Sequence, residues 1–216
     1  MKHIILGLSL SVLLVACGAD EKAAPEATKA PEKTAEATPS KATEATDKQA
    51  LIAEAKMAIK ALGGTLKGEL QLAMKNGGPV NALSVCNEKA PAIAKAVAAD
   101  KQLQVSRVSL KNRNPVMGQA NEWQEGVLNE FETRKAGGEK PATLAYADIV
   151  EAKDGKKEFR FMKAIPTGSL CLTCHGSNIK PEVSEKIAAL YPEDKATGYK
   201  EGDLRGAFVV VKQLAD

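Results

Sequence analysis

Two cysteines and a histidine lie together in the C-terminal third of the chain, as Cys171-Leu172-Thr173-Cys174-His175. Two thiols separated by two residues can add to the two vinyl groups of one porphyrin, and an imidazole directly after the second thiol then faces the iron. The motif therefore predicts covalent attachment of one c-type haem. Cys171 and Cys174 would hold the porphyrin, and His175 would ligate the iron.

Two other chemistries use the same side chains. Cys171 and Cys174 have the spacing of a disulfide or of a thioredoxin-type pair, but this leaves His175 without a function. Together with Cys86 the three residues also match a Cys₃His zinc set. Because neighbouring residues seldom ligate one metal ion together, Cys174 beside His175 counts against zinc. We favour haem.

The second axial position of the iron has several candidate ligands. The chain has two histidines, and the other one, His3, lies in a segment that we expect to be removed. Two histidines of one mature chain then cannot ligate the iron. Cys86 is favoured, because an unpaired thiol in an exported protein needs something to hold it. The alternatives are Met117, which lies in an irregular run, a lysine, a tyrosine or an open site. Three other methionines lie in predicted helices or strands and are expected to pack in the core: Met57, Met74 and Met162.

Three arginines are candidates for pairing with the haem propionates. A guanidinium binds a carboxylate through two parallel hydrogen bonds, and Arg107 and Arg113 lie in one block beside a predicted strand end. Arg205 is a weaker third candidate. For each arginine, an ordinary ion pair within the protein is the alternative.

The N-terminal residues carry an export signal. Residues 1–16 have a positively charged start, an apolar run and a small residue before Cys17, as in a bacterial lipoprotein signal peptide. The apolar run is shorter than the about 20 residues that span a bilayer. We expect cleavage before Cys17, lipidation of Cys17 and a periplasmic protein anchored to a membrane. Gly18 favours the outer membrane.

Residues 17–48 are predicted to be a disordered tether. The segment consists mainly of Ala, Thr, Glu, Pro and Lys and has no Leu, Ile, Val or aromatic residue, so it cannot bury a core. Residues 49–216 are predicted to be one domain. Apolar residues recur every three or four positions over 52–73 and predict a long helix, which ends at Gly77-Gly78-Pro79. A second helical stretch carries Cys86 and is expected to break at Pro91.

The rest of the domain mixes strands and helices. Strands are expected at 105–110, 144–152, 158–165 and 207–211, with Asp154-Gly155 as a hairpin turn. Asn121 is expected to cap a helix that ends at Gly137-Gly138, and residues 183–191 are expected to form a short helix. These elements predict an α+β fold with a small antiparallel sheet.

Four separated blocks of this sequence resemble, in the same order, a bacterial family of c-type haem proteins with a PAS-like fold. The likeness covers nearly all of residues 50–212 and implies a sheet of about five strands, whereas the periodicity indicates four. It also implies His175 and Cys86 as the two iron ligands. The chain departs from the family pattern at Val116-Met117-Gly118, where a polar residue and a proline are usual. The blocks are Gly78-Pro79 with Val85-Cys86 and Ala90-Pro91, then 107–115, 171–176, and 191–199 with 202–206.

Members of that family occur alone or as the extracytoplasmic sensor of kinases and chemoreceptors, and the resemblance implies a related role. Our leading hypothesis is a tethered monohaem sensor of redox state or of a small diatomic ligand, acting through a separate signalling partner. The alternative is a cytochrome that passes single electrons to a redox partner. We expect no enzyme activity, since peroxidase chemistry lacks a second histidine. The near balance of 30 basic and 27 acidic residues counts against nucleic-acid binding.

Overall fold

A four-stranded antiparallel sheet lies at the centre of the structure, a computed structural model that describes residues 41–214 apart from residue 153. The strands are β1 (Gln104–Val108), β2 (Ala145–Glu151), β3 (Lys157–Pro166) and β4 (Leu204–Gln213), in the spatial order β1-β4-β3-β2. The α+β class and the antiparallel sheet confirm the predicted fold. Within the described residues the sheet has the four strands that periodicity indicated, one fewer than the resemblance implied.

Both faces of the sheet are covered, which explains the apolar run of the central strand β4. Ala207, Val209 and Val211 pack into a cluster on one face, and Phe208 and Val210 pack into a cluster on the other. Successive side chains of a strand point to opposite faces, so a strand buried on both sides is apolar at every position. The strand predicted at 207–211 is confirmed, and it lies at the centre of the sheet, paired with both β1 and β3.

One sheet face packs against the long first helix, α1 (Lys41–Lys101). Its backbone leaves helical geometry at Gly77 and Gly78, where Gly78 has φ of +68°, so two helical segments meet at a bend. Only glycine adopts that conformation readily. The Asn81 side chain packs against Gly77 and donates to the Ala73 carbonyl at 3.2 Å, which bridges the bend.

Two expectations about α1 need correction. The helix is described from Lys41 onward, so residues 41–48, the end of the segment predicted as a tether, are helical; the rest of that segment, the predicted signal peptide and Cys17 lie outside the described residues. The predicted break at Pro91 is wrong, because the second segment continues through it. Proline's fixed φ of about −65° is itself helical, and its ring removes only one helical hydrogen bond, the one to the Asn87 carbonyl.

The other sheet face packs against α3 (Glu122–Ala136), which begins after the predicted cap residue Asn121. Asn121 Oδ1 accepts from the Gln124 amide at 3.2 Å, and Gln124 Oε1 accepts from the Asn121 amide at 3.0 Å. This reciprocal pair satisfies two amides that would otherwise lack partners at the helix start. A one-turn helix, α2 (Pro115–Gly118), precedes α3.

Two further helices, α4 (Leu172–His175) and α5 (Pro181–Leu190), lie between β3 and β4 in sequence. α5 packs against the second segment of α1 through a small buried cluster formed by Leu83, Val183 and Ile187. Among the described residues, none of the helices combines the length and the apolar character needed to cross a bilayer.

Gly206 in β4 gives a stability test of the sheet. It has φ of +147°, and a Cβ there would overlap the Val108 carbonyl oxygen of the paired strand. We expect Gly206→Ala to lower the free energy of unfolding by about 2–4 kcal/mol, measured by urea denaturation. The exposed helical Gly126 has open space around it, so Gly126→Ala is the control and should stabilise by about 0.5–1 kcal/mol. Equal effects of the two substitutions would contradict this explanation.

Candidate cofactor site

A cavity of about 350 Å³ lies between α1, the end of β1 and the Cys171–His175 motif. Its walls are largely apolar and include Leu62, Leu66 and Leu70 of the first α1 segment. A volume in this range suits a small-molecule or cofactor site. All the predicted cofactor residues that the structure describes line this cavity: Cys86, Arg107, Arg113, Cys171, Cys174 and His175. Three weaker candidates also line it: Arg205, Met74 and Met117.

Two of the methionines do not line the cavity. Met162 is fully buried in the core under α3, as expected, whereas Met57 is exposed on α1 and its expected core packing is wrong. Among the tyrosines, which the sequence left open as ligands, Tyr191 lines the cavity. Met117 belongs to α2, where Asn114 Oδ1 accepts from the amides of Val116 and Met117 at 3.0 and 3.3 Å. This cap stabilises one helical turn beside the cavity, in a run whose sequence pattern is irregular.

The cysteine motif itself forms one turn of helix. A short 3-10 turn (Ser169–Cys171) leads into α4, so Cys171 and Cys174 are three residues apart on helical backbone and His175 is four from Cys171. Residues three and four apart share one helix face, so all three side chains can face the cavity. Gly176 ends the turn: its amide donates to the Leu172 carbonyl at 2.9 Å, and a Cβ there would lie 2.7 Å from that oxygen.

The His175 imidazole is held in one tautomer. Nδ1 lies 2.7 Å from the Ala196 carbonyl oxygen, which can only accept, so Nδ1 carries the proton and Nε2 keeps its lone pair. Burial lowers the pKa of this imidazole to about 2, with the charges of Arg205 and Arg113 adding to the effect and the Ala196 carbonyl opposing it. A neutral ring with Nε2 unprotonated is the form that binds a metal.

The backbone around His175 is fixed by the segment before β4. The Tyr199 amide donates to the His175 carbonyl at 2.9 Å, and the Gly198 amide donates to the Gly176 carbonyl at 3.0 Å. The ring of Tyr199 stands perpendicular to the imidazole, with centroids 6.3 Å apart. The histidine side of the cavity is therefore tied to this segment by its main chain and by its ring.

Arg113 forms a buried ion pair with Asp194, at 9% and 8% side-chain exposure. Nε and Nη2 donate to the two carboxylate oxygens at 3.1 and 3.0 Å, and Nη2 also lies 2.5 Å from the Cys174 carbonyl oxygen. Arg113 thus forms the ion pair within the protein that the sequence analysis gave as the alternative to pairing with a haem propionate. Nη1 is buried without a partner among the described residues, so it retains a donor for an anionic group.

Cys86 lies on the second segment of α1, about two turns beyond the glycine bend. Burial raises the pKa of its thiol, while the positive charges of Arg107 and Arg113 partly offset this. Arg107 lines the same cavity from β1. Arg205 also lines it, with its guanidinium 5.2 Å over the Tyr199 ring and Nη1 3.3 Å from Ser109 Oγ. Three guanidinium groups therefore surround this cavity.

The zinc and disulfide alternatives find no support in the described part of the chain. No three His, Cys, Asp or Glu side chains there are grouped so that they could hold one metal ion. Cys86, Cys171 and Cys174 are all unpaired thiols. A haem needs only one side-chain ligand on each face, so this arrangement is compatible with it.

The comparisons with known proteins agree with this geometry. A family model described as Tll0287-like matches residues 32–212, most of the chain. The chain belongs to the Tll0287-like family. Among solved structures it is similar to the cyanobacterial heme-protein Tll0287, with 25% identity and a TM-score of 0.56 over 76% of this chain and 96% of that one. A comparison with curated proteins gave no match. The resemblance to a family of bacterial haem proteins is thereby confirmed.

Two residues of the site in this Tll0287-like chain were not found from the sequence. Asp194 binds Arg113, and the Ala196 carbonyl binds His175, yet an acidic residue in a loop and a backbone oxygen carry no spacing signal. The block 191–199 was noted only as a resemblance. Finding Asp194 requires knowing that Arg113 is buried beside this loop, which the sequence does not show.

The Arg113–Asp194 pair gives a second stability test. Asp194→Ala leaves a buried guanidinium without its counter-charge, so we expect a loss of about 3–5 kcal/mol in the free energy of unfolding. The control is Glu139→Ala, which removes the partner of Arg134 from a bidentate pair whose side chains are 37% and 33% exposed. That change should lower stability far less, because water screens an exposed pair. Similar losses in both variants would show that the burial of the first pair has no energetic consequence.

Proposed function

We propose that this chain is a tethered, extracytoplasmic monohaem c-type cytochrome that senses redox state or a small diatomic ligand. The proposal depends on one observation: Cys171, Cys174, His175 and the distant Cys86 line the same cavity. The similarity to a haem protein of known structure supports it. Bound haem would supply reversible Fe(III)/Fe(II) chemistry and a site for a diatomic molecule.

The residues present fit such a group. The Cys171 and Cys174 thiols are unpaired, and His175 presents an unprotonated Nε2. The apolar walls suit a porphyrin face. The unpartnered Nη1 of Arg113 and the guanidinium of Arg107 offer donors for its propionates.

Cys86 is the ligand that we propose opposite His175. A thiolate donates more electron density than a thioether, so it favours Fe(III) and a low reduction potential. Met117 is the alternative in the same cavity, on the exposed one-turn helix α2. Cys86 is the better candidate because a thiolate binds Fe(III) more strongly than a thioether does; burial raises the pKa of its thiol, and the charges of Arg107 and Arg113 partly offset this rise.

The proposed sensor role is supported by the different ways in which the two ligand residues are held. His175 is held by hydrogen bonds from its ring and from its backbone to the segment 196–199. Cys86 belongs to a helical segment that begins at the glycine bend and packs against α5. Cys86 and His175 would hold the iron, and Cys86, on the segment that packs against α5, would be the residue whose bond to the iron responds to a change of oxidation state.

Electron transfer is the second candidate function. Leu170 and Met117 line the cavity and are 39% and 40% exposed, so the cavity edge reaches the protein surface. An exposed edge permits electron exchange with a redox partner and requires no ligand to leave. The two functions therefore differ in what happens to Cys86 on reduction.

The place of action belongs to the same proposal. A lipidated Cys17 and the residues after it would tether the domain to a membrane, with the outer membrane favoured by Gly18. Haem attachment through thioethers suits a periplasmic protein. The signalling or redox partner would be a separate protein, and we propose no enzyme activity for this chain.

The attachment is tested by denaturation. Wild-type protein matured in a host that makes c-type haem should keep its pigment in denaturant, because two thioether bonds hold it. The double variant Cys171→Ser/Cys174→Ser should lose the pigment on a denaturing gel stained for haem. Cys86→Ser is the control and should keep it. Wild-type protein without retained pigment would contradict the proposed function.

The sensor role is tested by spectra in both oxidation states. Ferric wild-type protein should show the low-spin paramagnetic resonance signal of thiolate ligation, and ferrous protein should bind CO. Cys86→Ala should lose the ferric signal, whereas Met117→Ala, the control, should keep it. A ferrous spectrum with thiolate still bound and no CO binding would instead favour the electron carrier. An unchanged ferric signal in Cys86→Ala would remove Cys86 as the ligand.

A further inference from the structure

One guanidinium contacts the carbonyl groups on both sides of the His175 ligand. Arg113 Nη2 lies 2.5 Å from the Cys174 carbonyl oxygen and 3.3 Å from the Ala196 carbonyl oxygen. The first carbonyl precedes His175 in the chain. The second is the acceptor of the His175 Nδ1–H bond at 2.7 Å. Arg113 therefore shares the acceptor that determines the tautomer of the ligand.

The acceptor of a metal-bound histidine tunes that histidine. A stronger acceptor at Nδ1–H makes the ring more basic toward the metal, and a weaker one makes it less basic. A cation within hydrogen-bond distance of the Ala196 oxygen withdraws part of its electron density, so the carbonyl accepts less strongly from His175. Arg113 is in place to limit the basicity of the ring.

We propose that the Arg113–Asp194 pair is a positioning and tuning device that weakens electron donation by His175 through the shared Ala196 carbonyl. The inference rests on the proposed function, in which His175 ligates a haem iron. Asp194 takes part in two ways. It holds the guanidinium through both oxygens, and its Oδ1 accepts from the Ala196 amide at 2.8 Å, which fixes the residue whose carbonyl is shared.

The burial of the pair makes this effect large enough to measure. Both side chains are less than a tenth exposed, so water and salt screen their charges little. Loss of the Arg113 charge should strengthen the acceptor at His175 and favour Fe(III). Loss of the Asp194 charge should leave the guanidinium less compensated and favour Fe(II). A purely structural pair would give similar shifts from either loss.

The test compares Arg113→Gln and Asp194→Asn with wild type by spectroelectrochemistry of the holoprotein. We expect a lower midpoint potential in Arg113→Gln and a higher one in Asp194→Asn. Arg113→Lys keeps the charge and should return most of the wild-type potential. Arg134→Gln breaks the bidentate surface pair with Glu139 and is the control, with no shift expected. Shifts of the same sign in Arg113→Gln and Asp194→Asn would overturn the proposal.

A second readout separates the shared carbonyl from a through-space charge effect. Arg205 also lines the cavity and also lowers the pKa of His175, but its hydrogen bonds go to Ser109 and Lys111. In a Cys86→Ala background, the ferrous iron–histidine stretching frequency in resonance Raman spectra reports the basicity of the ring. It should rise with Arg113→Gln and stay unchanged with Arg205→Gln. Equal behaviour of the two would overturn the proposal.

These outcomes are distinct from a failure of the proposed function. If wild-type protein retains no covalent pigment, the haem assignment fails and no potential is measured. If pigment is retained and the potential does not respond to Arg113→Gln, only the tuning role fails. Circular dichroism and haem content of each variant show whether it has folded, and Arg113→Lys and Asp194→Asn preserve most of the side-chain volume if Arg113→Gln does not fold.

Discussion

The hydrogen bond from His175 Nδ1 to the Ala196 carbonyl is the constraint on which the site depends. It fixes the proton on one ring nitrogen and leaves the other available to a metal. The same carbonyl lies within reach of Arg113, which the Asp194 carboxylate holds in a buried ion pair. Because a cation and an imidazole share one acceptor, one small network fixes the tautomer of His175 and holds its ring, and we propose that it also tunes the basicity of the ring.

The fold supports the two sides of the cavity in different ways. The histidine side is a single helical turn tied to the segment before β4 by main-chain hydrogen bonds, so it is positioned by backbone geometry. The cysteine side is a helix that starts at a glycine bend and rests on α5 and on the sheet. A ligand on a turn fixed by its own backbone has little freedom to move, whereas a helix behind a bend can rotate as a unit. This difference is the physical basis for proposing that Cys86, and not His175, changes with oxidation state.

Much of the fold was predictable because local patterns were unambiguous. The asparagine cap of α3, the turn at Asp154-Gly155 and the doubly buried strand β4 each have a short-range signature, and all three are confirmed. The errors have physical reasons too. Pro91 continues the helix because its fixed φ is helical. Residues 41–48 of α1 lie in a segment whose composition has no apolar period, so composition alone marked them as disordered.

The cofactor class was predictable from the sequence, since two thiols and an imidazole at this spacing favour haem whatever the fold. It also predicted that the other ligand is not a second histidine of the same chain, because one histidine remains after the predicted cleavage. The distant groups that surround the motif are seen only in the folded chain. Asp194 and the Ala196 carbonyl reach Arg113 and His175 through chain reversals that no local pattern encodes. Short-range geometry is written in neighbouring residues, whereas a shared backbone acceptor exists only once the chain has folded.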